Sequence, residues 1–409
     1  MSANVATISK YLELNHGSIL SFSPGNWHEL PQDKDNEQVA NARLALVKQT
    51  TLLRDLVAGP AEAIFRSAAH SLHDMTAITV ILRYNLANAV PLDKEISFEQ
   101  VAKISGLSYN RVRTVLRQAM VVHVFEEPHP GFVKHTAASA LLVQDPGLRD
   151  VGRLFTEITV PCAGKLLETY VKFPNSEKPT EGPFNLAFET KGRPMECIAS
   201  RPDLAMILQG GMSYRGRDGA WDNSHIANAY PWASLRSATV ADIGGGNGHF
   251  SVSLAQRFPE LRFIVQDLAS TEQTNVVPPD LKDRITFYAH DFFTPQTVKA
   301  DVYVLRFILH DWLDKEASEI LRNLVPAMVK GSRVLLVDSV IVPTRTRPYH
   351  IERLSRMMDI HMMVTLNARE RTEEDWKSVL QMADSRFYLN RIISPHSSFL
   401  SAIEVVWDP

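Results

Sequence analysis

The apolar run DVYVLRFIL, Asp301–Leu309, delivers His310, Asp311 and Trp312 at its end. In open α/β sheets ligands sit outside the carboxyl ends of the strands, and this run places a histidine there. An imidazole that titrates near neutrality can take the proton of a phenol, an enol or another acidic hydroxyl. Such a base is worth roughly 10²–10⁴-fold in rate. It must be held in one tautomer, which calls for a nearby acceptor. Two carboxylates qualify: Asp338, which closes the apolar run VLLVD, and Glu370, in the polar loop NARER after a helical pattern over residues 351–363. The plain alternative for Glu370 is an ion pair with Arg369 or Arg371. Asp311 is expected to point away from His310 or to cap the next helix.

A second cluster lies upstream. Ala238–Ile243 reads as a strand and carries Asp242 inside it; Gly244, Gly245, Gly246 and Gly248 follow, then a helical pattern over 251–257. Strand, glycine turn and helix together present bare backbone N–H groups and a helix N-terminus to a ligand. The dinucleotide fingerprint would need a third glycine where His249 stands, which argues against a nicotinamide enzyme. The next strand, FIVQDL, ends in Asp267-Leu268. Asp267 lies roughly 20 residues past the glycines, the separation at which an acid meets ribose hydroxyls. A third strand, 284–289, leads to Asp291-Phe292, an acid for an adenine amino group and a ring for its face. Each of these acids alone reads as a turn or cap residue. The series of three strand ends is far more specific.

These residues resemble those of S-adenosylmethionine-dependent O-methyltransferases of the caffeic acid type, including fungal secondary-metabolism members. The stretch VADIGGGNGHF is similar to that family's first motif. The likeness spans residues 183–384 through PFNLAFETKGRPMECIASRPDLAMILQGGM, FIVQDL, HDFF, VYVLRFILHDWLD, RVLLVDSVIVP and ERTEEDWKSVLQMA. It implies that His310 is the base, flanked by Asp338 and Glu370. It implies contacts of Asp242, Gly244, Gly246, Asp267, Leu268, Asp291, Phe292, Arg306 and Trp312 with the cofactor, with Met212 and Ser213 near its methionine end. S-adenosylhomocysteine would be the product. Met358, Met362 and Met363 would line the acceptor pocket with Phe155, Phe184 and Phe188; ordinary core packing is the plain alternative for the methionines. Plant members usually carry Glu at the position of Asp338 and Lys at that of Arg306. In-line methyl transfer needs no metal, and positioning can supply at best roughly 7–11 kcal/mol of the barrier. Some fungal members of this family are pericyclases that use the sulfonium without transferring its methyl, and that is the alternative activity.

Around these clusters the pattern alternates. Strands near 238–243, 262–267, 284–289, 301–309 and 333–342 are separated by helices, and 386–393 with 399–407 reads as an antiparallel edge hairpin. This predicts a Rossmann-like, mainly parallel seven-stranded sheet in an α/β domain over 171–409. Residues 1–35 read as an extension with turns at Ser23–Asn26 and Pro31–Asp33. Residues 36–170 read as a helical, winged-helix dimerisation domain. Its first helices, broken at Gly59-Pro60, are apolar on several faces, as for a homodimer. Within it Ser97 caps a helix with Gln100 completing a capping box, Tyr109–Met120 is a second helix, and Val121–Glu127 with Gly131–His135 form a wing. Read as a DNA-binding regulator, it would use Asn110, Arg111, Arg113 and Arg117.

Composition limits these options. The 409 residues carry a net charge of −3, with 45% hydrophobic and 22% charged residues. No field favours nucleic acid or an anionic membrane. No apolar run reaches the ~18 residues a membrane span needs. The N-terminus lacks the basic and apolar regions of a secretory signal. The 2 cysteines, Cys162 and Cys197, are too few for a disulfide framework or a zinc site. The expected setting is cytoplasmic, with a small-molecule substrate and neither nucleic acid nor membrane as partner.

Overall fold

The structure, a computed structural model, describes residues 1–16, 20–24, 29–31, 33–216, 219–269 and 277–408. The turns expected around Gly25-Asn26 and at Gln32 fall outside these. The chain divides into two compact units. One joins Met1–Pro161 to Ala199–Tyr214, and the other joins Cys162–Ile198 to Arg215–Pro409.

The first unit is helical. A long helix over Asp33–Phe65 is interrupted at Gly59, whose φ of 82° and ψ of 170° break it before Pro60. The capping box at Ser97 forms as read: its hydroxyl accepts from Gln100 N at 3.2 Å and its N–H donates to Gln100 Oε1 at 3.2 Å. Phe98, Val101, Val112, Leu116, Phe125 and Val133 close a small core under the two winged-helix helices. The wing differs from expectation. The second helix runs on to Val121, and the ladder pairs Ile96-Ser97 with Phe132-Val133. On the other arm there is a single bridge, Glu126 to Lys134. His123 and Phe125 take positive φ, at 61° and 73°, so residues 121–127 cannot stay extended.

The second unit carries the sheet. Its strands are β1 (Thr239–Ile243), β2 (Arg262–Asp267), β3 (Ile285–Ala289), β4 (Val302–Arg306), β5 (Arg333–Asp338), β6 (Phe387–Ile393) and β7 (Ser401–Trp407). Their order is 6-7-5-4-1-2-3, with β7 antiparallel to its neighbours and the rest parallel. The central strands β1, β4 and β5 are buried nearly throughout, which is why they read as unbroken apolar runs. On one sheet face, Leu305, Leu336, Ile403 and Trp376 share a core with the helices over Asp314–Leu324 and Glu373–Ala383.

The topology positions the site. The order reverses between β1 and β4, so the carboxyl ends of these neighbouring strands open the crevice where such sheets bind ligands. The glycine turn leaves β1 there, and the His310 turn leaves β4 beside it. One further pairing brings in residues from far along the chain. Val340-Ile341, just past β5, pairs in parallel with Arg371-Thr372. This docks the loop containing Glu370 next to the end of β5.

Candidate active site

The glycine turn is built by backbone contacts. Gly244 and Gly245 both donate to the Gln266 carbonyl of β2, at 2.8 and 3.1 Å. A Cβ on Gly244, at φ +67°, would stand 2.5 Å from Ile308 Cδ1 and 3.6 Å from Phe292 Cε1. Gly248, at φ +83°, opens the helix His249–Arg257, and a Cβ there would meet Phe287 Cζ at 2.9 Å. The glycine of close helix–strand approach is therefore Gly248. His249 turns along the loop, its Nδ1 2.8 Å from Asn247 Oδ1. Beneath the turn, buried Asp242 accepts from Ser251 Oγ at 2.6 Å. Burial pushes its carboxyl up to about 6, against the pull of Ser251 and Arg306.

Asp267 stands at the tip of β2. Its Oδ2 accepts from Gly246 N at 2.8 Å and its Oδ1 from Leu268 N at 2.8 Å. Leu268 is exposed beside it. Asp291 is exposed past β3 and accepts from Phe293 N at 2.9 Å. Phe292 meets the edge of Trp312, with centroids 5.9 Å apart, and Phe293 meets the same ring at 4.8 Å. Glycine turn, Phe292 and Trp312 thus form one continuous wall. Arg306 points inward, its guanidinium 5.4 Å from the Phe250 ring centroid and 4.7 Å from that of Phe307. Burial lowers its pKa to about 10, against the raising effect of Asp242 and Asp338.

His310 is buried, and its Nδ1 donates to Glu370 Oε1 at 3.0 Å. Glu370 is itself buried, so this contact is well shielded from solvent. Asp311 does not point away. Its Oδ1 lies 3.4 Å from His310 Nε2. The helix that follows starts at Asp314 with Leu313 before it, so Asp311 is not its cap. Asp338 is fully buried, and neither of its oxygens has a hydrogen-bond partner among the described residues. Burial alone would lower the His310 pKa, yet Glu370, Asp311 and Asp338 together raise it to about 10. Burial pushes the Asp338 carboxyl up to about 7 and that of Asp311 to about 6. Three carboxyl groups thus favour the protonated imidazole against its burial.

The remaining candidates divide by unit. Phe184 and Phe188 stack with centroids 4.4 Å apart. Met358 and Met362 lie buried one turn apart on the helix Tyr349–Leu366, against which the helix Pro183–Ala187 packs. Met363 is turned toward Tyr170, whose hydroxyl donates to its sulfur at 3.3 Å. Phe155, Met212 and Ser213 belong to the first unit, Phe155 in a π-helical turn and the other two near the end of the helix Pro202–Arg215.

Sequence reasoning missed three residues. Arg371, fully buried, donates to the carbonyls of Leu309 and Trp312 at 2.6 and 2.7 Å and to Asp314 Oδ1 at 2.9 Å. It clamps the His310 turn to the Glu370 loop. The charge run Arg369-Glu370-Arg371 held the signal; both arginines pair with Asp314, which leaves Glu370 to the histidine. His361 is buried, and its pKa is lowered to about 3 by burial, by Arg215 and by His310. Phe307 carries a φ of 55°, which no pattern in the sequence announces. Among the described residues, no group of three His, Cys, Asp or Glu side chains is arranged to hold a metal ion, and no helix is long and apolar enough to cross a membrane.

Comparison with known proteins places this geometry. Residues 224–385 match the model of the O-methyltransferase domain family. The O-methyltransferase kk1A of Curvularia clavata is 35% identical over 390 residues, covering 95% of this chain and 91% of that protein. The solved structure of OxaC in complex with SAH and oxaline superposes with a TM-score of 0.76 at 20% identity, over 99% of this chain and 97% of that one. A solved pericyclic reaction enzyme reaches 0.75 at 22% identity, with 100% of both chains covered. At these identities the two structures show a common fold.

Proposed function

We propose, from the premise that this chain belongs to the O-methyltransferase family of S-adenosylmethionine-dependent enzymes, that it methylates a phenolic, enolic or polyketide-derived hydroxyl of a small molecule in secondary metabolism. One observation carries the reading. A buried imidazole at the carboxyl end of β4, held by Glu370 at 3.0 Å, stands beside the glycine turn at the crevice of the sheet.

The residues suit the cofactor. Among the described residues, a Cβ on Gly246 would meet nothing within 4 Å. Asp267 accepts a backbone N–H at each oxygen, at the strand tip where a carboxylate can also accept from a ribose diol. In this reading Asp267 and Leu268 hold the ribose. Asp291 and Phe292 take the adenine. Gly244, Gly246 and Trp312 form the wall, with Asp242 supporting the turn. When bound, S-adenosylmethionine supplies an electrophilic methyl group and leaves as S-adenosylhomocysteine.

The chain does the rest. Phe184, Phe188, Met358, Met362 and Met363, all of the second unit, enclose the acceptor and exclude water. His310 Nε2 takes the hydroxyl proton, while Glu370 keeps Nδ1 protonated and stabilises the imidazolium; Asp338 adds a second counter-charge. A second cation brought close favours the neutral imidazole, the form that accepts a proton. Residues 36–170 serve dimerisation. The first unit exposes Leu56, Val57, Ile64, Phe65 and Leu72, an apolar face suited to a second copy of the chain. Against DNA binding, Arg117 is engaged by Glu127 in two hydrogen bonds of 2.8 and 2.7 Å.

Incubation with methyl-labelled cofactor and a panel of phenols tests the reading. Label should reach one hydroxyl, and His310→Ala should lose about 10²–10⁴-fold in rate with cofactor binding retained. Tight cofactor binding with no label on any acceptor would refute it. Conversion of an acceptor with the label left on the cofactor would point to pericyclic chemistry.

A further inference from the structure

Phe307 is the residue at which β4 ends. Its N–H still donates to the Val337 carbonyl of β5 at 3.2 Å, while its φ of 55° turns the chain out of the sheet toward His310. A bulky side chain rarely adopts that conformation, and it persists only where the surroundings over-determine it. Here they do. The Phe307 ring lies 5.3 Å from the His310 ring at 35°, and 6.3 Å from Phe399 at 19°. The Arg306 guanidinium covers the same ring at 4.7 Å.

The other contact of Arg306 is Phe250, in the first turn of the helix that follows the glycine turn, at 5.4 Å. Arg306 Nε has no hydrogen-bond partner among the described residues. The two carboxylates that act on the guanidinium are Asp242 under the glycine turn and Asp338 beside the base. A residue whose task was to meet the adenine edge would have its charge directed at the tips of β2 and β3. This charge is instead lodged between two aromatic rings and two acids.

We propose that Arg306 and Phe307 form a positioning unit for His310, with Arg306 acting on the base through the Phe307 ring rather than on the adenine edge. Phe307 sets the direction in which the imidazole leaves β4. Arg306 holds that ring in place from its other side. The groups facing His310 are Glu370 from the loop docked on β5, Asp311 from its own turn, Asp338 from the end of β5 and His361 from the helix Tyr349–Leu366. Arg215 acts on Asp311 and His361. Of these five, Asp338 is the one that acts on Arg306, and Arg371 also acts on Asp338. The proposal rests on the methyl-transfer reading with His310 as base.

Arg306→Met, Arg306→Lys and Phe307→Leu test it through three readouts. These are binding of S-adenosylhomocysteine by calorimetry, the pH profile of kcat, and the NMR titration of His310 in histidine-labelled protein. Arg306→Met should leave S-adenosylhomocysteine affinity within about threefold and lower kcat about tenfold, inside the range a general base supplies. The His310 titration should move to lower pH by about one unit, because an imidazole that has lost the support of the Phe307 ring no longer keeps its 3.0 Å contact with Glu370. Arg306→Lys should restore part of both effects, and Phe307→Leu should reproduce the loss of kcat. A weakening of S-adenosylhomocysteine binding by tenfold or more, with kcat and the titration unchanged, would overturn the proposal in favour of an adenine contact. The titration needs no acceptor. An unmoved His310 in Arg306→Met refutes the positioning unit even where methyl transfer proceeds, and a moved one supports it even where no acceptor is methylated.

Discussion

Replacing Glu370 by Gln removes the charge nearest the imidazole and leaves an amide oxygen that can still accept from Nδ1–H. The tautomer is kept while the counter-charge is lost. Hydrogen bonds to charged groups are worth about 1.5–3 kcal/mol, and one pKa unit corresponds to about 1.36 kcal/mol. The His310 pKa, raised to about 10 with Glu370 as the leading raising influence, should therefore fall by about one to two units. The sign follows from the base form. Neutral imidazole appears above the pKa, so the acidic limb of kcat/KM should move to lower pH by the same amount. The plateau rate should drop, because a weaker base develops less driving force for proton transfer. Stability gives an independent readout. A histidine with a raised folded pKa stabilises the fold below its ordinary value of 6.5, and this contribution is lost as pH rises through about 10. The stability gap between wild type and Glu370→Gln should therefore be widest near pH 6 and close toward pH 10. The assay is a pH series of initial rates with S-adenosylmethionine and one methylated phenol, paired with denaturation midpoints. An acidic limb that stays in place, or moves upward, would refute the assignment of Glu370 as the partner of the base.

Gly244→Ala forces a Cβ to within 2.5 Å of Ile308 Cδ1 at φ +67°, so cofactor affinity measured by calorimetry should fall, with about 1–3 kcal/mol of stability lost. Asp338→Asn removes a buried carboxyl whose pKa rises from 3.8 to about 7 on folding. The folded state then binds the proton more tightly, and wild-type stability should fall between pH 4 and 7 while the variant's does not, as thermal midpoints across that window would show. Arg371→Met strips a buried clamp from the Leu309 and Trp312 carbonyls and leaves Asp314 short of a partner; a loss of about 3–5 kcal/mol in urea denaturation is expected. Binding of the intact protein to random duplex DNA should show no steep salt dependence in fluorescence anisotropy, since Arg117 is already paired with Glu127.

The parts of the molecule legible in the sequence are those that local chemistry dictates. Four glycines after an apolar strand must make a turn that backbone can approach, and Gly244 and Gly248 take the positive φ this requires. The runs of β1, β4 and β5 are apolar on both faces because helices cover both, and that alone indicates a mainly parallel sheet. Acids at the tips of β2 and β3 and a histidine at the tip of β4 fall where the switch point puts them. The wing was misjudged because His123 and Phe125 adopt positive φ, and nothing in their side chains signals it. Phe307 is the same case with a larger consequence: the run DVYVLRFIL reads as one strand to Leu309, and the structure ends it at Arg306.

Pairing across long separations is the part that one sequence cannot show. Glu370 sits in a run of three charges, and by local rules each neighbouring arginine competes for it. The competition is decided by Asp314, more than fifty residues upstream, which takes both arginines at 2.8 Å. With them occupied, Glu370 is the buried acid left over, and the two-residue ladder of Val340-Ile341 with Arg371-Thr372 carries it to His310. The same logic inverts the reading of Asp338. Ending a strand beside the histidine makes it a candidate orienter, yet it makes no hydrogen bond to the imidazole and acts on it through charge alone. An Asp where plant relatives usually carry Glu, and an Arg where they usually carry Lys, then belong together. The shorter acid stays back from the imidazole, and the guanidinium covers the Phe307 ring at 4.7 Å while that acid acts on it through charge, a stacking role that an ammonium on a flexible stem fills less well. The two departures form one exchange, and changing either alone should cost more than changing both.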